Sequence, residues 1–92
     1  MKPEQSLTNR TALAPYKQAT TRFIRAAMVL QQVKYSDLAE NLAKQGIVMT
    51  PENLRSKVSK GMFSSDLLVA IIDVLGVEKD AMREILNLVH HD

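Results

Sequence analysis

Apolar residues recur three or four positions apart along this chain, and no stretch alternates long enough to make a half-buried strand. The pattern predicts an all-α fold. Tyr16, Ala19, Phe23, Ala26, Ala27, Leu30 and Val33 form one stripe of a long first helix, and Pro15 suits its first turn. Residues 1–14 are polar and weakly patterned, and read as a flexible polar and basic arm. A second helix is announced by Ser36 as cap and Asp37 at the positive end of the dipole. Leu38, Ala39, Leu42 and Ala43 are its inward face, and Gly46 closes it. Thr50 caps a third helix with Pro51 at its first position, Leu54 and Val58 one turn apart inside, and Gly61 at its end. The fourth, capped by Ser64 or Ser65, is nearly all apolar from Leu67 to Leu75, which predicts a place at the centre of the domain. The fifth spans about Glu78 to Val89. Residues 15–92 thus read as one five-helix bundle.

Composition narrows the possibilities. Ninety-two residues are one domain's worth of chain, and 46% hydrophobic with 24% charged residues is a globular balance. Cysteine is absent, which excludes disulfides and thiolate zinc sites. Three glycines exclude a Gly-rich phosphate loop, and no apolar run approaches the roughly 20 residues of a membrane span. With no apolar segment near its start fit for export, the chain is expected in the cytoplasm, in association with the nucleoid. The net charge of +2 conceals a polarity. Residues 1–60 carry ten Lys and Arg against four acids, a net +6, while residues 61–92 carry two against six, a net −4. Such a division predicts a basic face for a polyanion and a second region with another role.

The third helix departs from the rest. With Leu54 and Val58 inward, 100° per residue turns Glu52, Asn53, Ser56, Ser59 and Lys60 outward, with Arg55 and Lys57 at the edges. An outer face of small polar and basic side chains is what a recognition helix needs: Asn pairs with adenine, Arg or Lys with guanine, and Ser permits close approach. Asn53, Arg55, Ser56, Lys57 and Lys60 are therefore expected to contact bases. Thr50 and Ser59 on this helix, with Arg22, Arg25 and Lys34, are expected to contact phosphates. Arg10 and Lys17 are expected to add backbone attraction.

The Ser36–Asp37–Leu38–Ala39 start, Leu42, and Leu54, Val58 and Gly61 resemble the lambda-repressor-like, Cro-type helix-turn-helix family. More closely, residues 20–77 are similar to a small bacterial domain family of unknown function with the pattern L-A-x-x-L…N-L-R-x-K-V-x-K-G-x-F-S, matched here by Leu38-Ala39, Leu42 and Asn53 to Ser64. The resemblance implies a sequence-specific duplex-DNA-binding regulator, a repressor or autoregulator of a phage, mobile-element or toxin–antitoxin-like operon. One departure stands out. Residues 43–50 exceed the family's turn of about three or four residues. Either the second helix gains a turn or the loop bulges.

Two histidines at the very end and no carboxylate cluster offer no metal site, nucleophile–base pair or cofactor site, so neither an enzyme nor a cofactor is expected. The last helix presents Ala81, Ile85 and Leu88 on one side and Met82, Leu86 and Val89 on another. The second side predicts a homodimer interface. A competing reading is a helical protein-interaction module whose basic residues are merely solvated.

Overall fold

The computed structural model of the chain describes residues 3–90, with side chains from Leu7 to His90; His91, read above with His90, lies outside them. Five helices follow one another: α1 (Pro3–Gln31), α2 (Tyr35–Lys44), α3 (Pro51–Lys60), α4 (Ser65–Leu75) and α5 (Ala81–His90). No strand occurs among the described residues, so the all-α expectation holds.

α1 is the axis of the molecule. Its 29 residues at 1.5 Å each account for the whole 42 Å long dimension. α5 and α3 pack along it, while α2 bridges α3 and α4. Ile24, Leu38, Leu42, Leu54, Val58 and Ile71 are fully buried where these helices meet, each stabilising by about 1.5–3 kcal/mol.

α1 also corrects the reading of the first residues. It begins at Pro3 rather than Pro15, so residues 3–14, read above as an arm, continue the helix. Pro15 removes one backbone donor from the interior. The segment tolerates this because it is exposed to water and carries good helix formers, Leu7, Arg10, Ala12, Leu13 and Ala14. Among the described side chains the first buried one is Ala19. Deleting residues 1–12 should therefore leave a cooperative unfolding transition within about 1 kcal/mol of the full chain, measured by circular dichroism in urea.

α4 is not at the centre either. Only Ile71 and Leu75 are buried, Val69 faces outward, and the remaining apolar side chains are half-buried. The longer stripe of α1 takes the central position, leaving α4 against α2 and the end of α1, where the Gln31 amide donates to the Leu75 carbonyl at 2.6 Å. Near the start of α4, hydrogen bonds from the Ser64 hydroxyl and the Leu67 N–H hold the exposed Asp66 carboxyl below its usual range.

The α2–α3 connection settles the alternative left open above. α2 starts two residues early: the Lys34 N–H donates to the Asp37 carboxylate at 2.9 Å, so Lys34, and not Ser36, is the cap residue. It ends at Lys44 without an extra turn, and Gly46 supplies a left-handed φ of +84°. The extra residues are loop: Ile47 and Met49 pack against the core and Val48 points into solvent.

Candidate nucleic-acid interface

Two apolar residues hold α3. Leu54 and Val58 are wholly buried, its outer surface is polar, and Gly61 in a left-handed conformation ends it. At the start, the Thr50 hydroxyl accepts from the Asn53 N–H at 3.0 Å and Pro51 occupies the first turn. At the far end α3 crosses α1 closely: the buried Thr21 hydroxyl donates to the Val58 carbonyl at 2.5 Å. Gly61 lies against Lys17, where a Cβ would stand 2.7 Å from the Lys17 carbonyl oxygen. Arg25 completes the junction by donating to the Ser59 hydroxyl at 2.9 Å.

The expected base-contacting residues do not all share one face. Asn53, Ser56 and Lys60 lie within an arc of about 60° on the outer side of α3, all exposed. Glu52 and Ser59 lie beside that arc, on the side towards Arg55. Arg55 is turned about 100° from Ser56, and its guanidinium stands 5.4 Å from the centroid of the Tyr35 ring at the start of α2. Lys57, on the opposite edge, is half-buried.

Arg22, Arg25, Lys34, Thr50 and Ser59, the expected phosphate contacts, are all exposed. Two concavities gather most of them. One, at the α1–α3 crossing, is lined by Lys17, Arg22, Arg25, Ser59 and Lys60 with Gln18 and Thr21. The other lies where α1 ends and α2 and α3 begin, and is lined by Arg25, Lys34, Ser36, Arg55 and apolar neighbours. No carboxylate lines either concavity. Arg25 belongs to both and joins them into one basic surface. Such a surface concentrates anions, and open recesses bordered by guanidinium groups fit phosphate oxygens.

Two participants escaped the sequence reading. Tyr35 is the platform for Arg55, and Thr21 ties α1 to α3. Only Tyr35 left a signal, as an aromatic residue at a helix start within reach of a basic one. No group of His, Asp or Glu side chains among the described residues is arranged to hold a metal ion, and no described helix is long and apolar enough to cross a membrane.

Comparison with curated proteins and with solved structures gives no match. A family model does match, over residues 16–80, which takes in α1 from Tyr16 onward, all of α2, α3 and α4, and the turn before α5. This chain belongs to that family, DUF6471, a domain of unknown function.

Proposed function

We propose that this chain is a DNA-binding transcriptional regulator that sets α3 into the major groove of a duplex, with α2 as the supporting helix of a helix-turn-helix pair. The observation that carries the proposal is the carboxylate-free basic surface running from Lys17 through Arg25 to Arg55, alongside the exposed Asn53–Ser56–Lys60 stripe. The cations neutralise phosphates and fix the register of the protein on the duplex. Within the stripe Asn53 and Ser56 read base edges, Asn53 suiting adenine, Glu52 is placed to accept from cytosine, and Lys60, which lines the α1–α3 recess, serves a phosphate. Arg55, stacked on Tyr35, serves the backbone rather than a base.

Selection of bound fragments from random duplex DNA tests the proposal directly and should return one motif. Asn53→Ala and Ser56→Ala should each cost about 1–3 kcal/mol on the selected site and little on unrelated duplex. Full specific affinity in the double variant would remove α3 as the reading helix.

We also propose that the active form is a two-fold dimer built on the outer side of α5. Ala81 and Ile85 face the core, whereas Met82 is 67% and Leu86 39% exposed, and Val89 lies half-buried between the two sides. A pair of α3 helices one turn of DNA apart gives the affinity that one short helix lacks. Burying Leu86 contributes about 1.5–3 kcal/mol per copy. Leu86→Glu should therefore run as a monomer in light scattering, with unchanged helical content and without cooperative binding to paired half-sites. A wild-type chain that is monomeric at micromolar concentration contradicts the dimer.

A further inference from the structure

The outer side of α1 carries a feature that DNA binding leaves unused. Ala26, Val29 and Leu30, at the spacing of one helical stripe, form a ridge open to solvent, with Val29 76% and Leu30 84% exposed. Apolar side chains this exposed and this contiguous mark a contact surface. Beside the ridge lies the second basic concavity, an open groove of about 510 Å³. Its apolar lining is Met28, Val33 and Pro51 with the Tyr35 ring, and Val29 stands at its edge. Its rim is Arg25, Lys34 and Arg55.

We infer that the ridge and groove dock an amphipathic helix of a partner protein whose apolar face is bordered by carboxylates. The charge of the rim selects this occupant. Three cations and no carboxylate line the groove, and the neighbouring Asp37 accepts from the Lys34 N–H. A second copy of the same surface would set Arg25, Lys34 and Arg55 against their own equivalents, a repulsion without compensation. A phosphate backbone would satisfy the rim, but it has no apolar group to cover Val29 and Leu30. A helix with Leu or Phe at positions i, i+3 and i+4 covers both, and its flanking Glu or Asp side chains reach the guanidinium groups. Arg55 is held in place for this by its stacking on Tyr35. On the other side of the ridge, the groove towards α5 has mixed charge, with Arg22 and Lys79 opposed by Asp80 and Glu84. The basic side therefore sets the orientation of the incoming helix.

The docking shares Arg25, Lys34 and Arg55 with the surface proposed above for phosphates but does not rest on the DNA reading, and the experiment separates the two. The full chain, immobilised, is used to select from a displayed library of random peptides of about sixteen residues. Enriched peptides should be acidic, with large apolar residues at helical spacing. A synthetic copy of an enriched peptide, followed by fluorescence anisotropy, should bind at least 10-fold more weakly to Val29→Ser/Leu30→Ser and to Arg55→Gln. Val69→Ser, on the outer side of α4, should leave its affinity unchanged. Because Val29 and Leu30 are exposed, the double variant should keep the circular dichroism spectrum and the duplex affinity of the parent; Leu30→Ser alone serves if it does not. The inference is overturned by enrichment of neutral or basic peptides, by no enrichment over the blank surface, or by peptides indifferent to the ridge variants. An equal loss of duplex affinity in Val29→Ser/Leu30→Ser also overturns it, because the ridge would then belong to the DNA face.

Discussion

Gly61→Val should destabilise the domain by about 3–5 kcal/mol, a large part of the roughly 5–15 kcal/mol that holds a domain together. Two costs combine at this position. The backbone stands at φ +62°, a left-handed conformation that a β-branched residue resists. A Cβ there would also lie 2.7 Å from the Lys17 carbonyl oxygen and 3.0 Å from the Lys17 Cβ. Neither neighbour is the free end of a flexible chain. Moving α1 away would pull Thr21 from the Val58 carbonyl and Arg25 from Ser59, so strain at Gly61 spreads through the whole α1–α3 junction. Gly46 and Gly76 are the internal controls. Both have positive φ, at +84° and +68°, but nothing stands within 4 Å of an added Cβ. Valine at either should cost about 1–2 kcal/mol from conformation alone. Urea midpoints of the three variants measure the difference, and equal losses would show that the approach of α3 to α1 is not tight.

The comparison of glycines illustrates what the chain discloses and what it withholds. Gly46, Gly61 and Gly76 all mark helix ends in the sequence, and all three sit in left-handed conformations after α2, α3 and α4. Helix ends obey local rules, so spacing and residue type suffice to find them. That only Gly61 is also a point of contact depends on Lys17, 44 residues away, and no local pattern encodes it. The same division explains α4. Its nearly unbroken apolar run is real, yet burial is decided by which helices compete for the centre, and the longer stripe of α1 prevails. Pro15 misled in the opposite sense. A proline is a favourable helix start, but it does not forbid a helix that began earlier and runs along the surface, where water serves the vacant carbonyl. On α3 the inward pair and the outward stripe were legible from 100° per residue. The turning of Arg55 onto Tyr35 was not, because it needs the position of α2.

The largest functional effect should come from removing the charge beside α3. Lys17, Arg22, Arg25 and Lys60 line one recess at the α1–α3 crossing, with Ser59 between them. If each meets a phosphate, changing all four to Gln should lower the slope of log affinity against log salt by about one unit per contact. At 0.15 M salt each lost contact weakens binding about 5-fold, so the quadruple variant should lose roughly three orders of magnitude. The loss should be the same on the selected site and on unrelated duplex, because phosphates carry no sequence information. Asn53→Ala and Ser56→Ala should behave in the opposite way, narrowing the ratio between the two duplexes while leaving the salt slope in place. Filter retention across a salt series, run with both duplexes on both sets of variants, distinguishes the roles. An unchanged slope in the quadruple variant would mean that these cations are only solvated, and α3 would then face some partner other than a phosphate backbone. A parent chain that retains no duplex even at low salt would favour the helical interaction module, with the ridge of Val29 and Leu30 as its working surface.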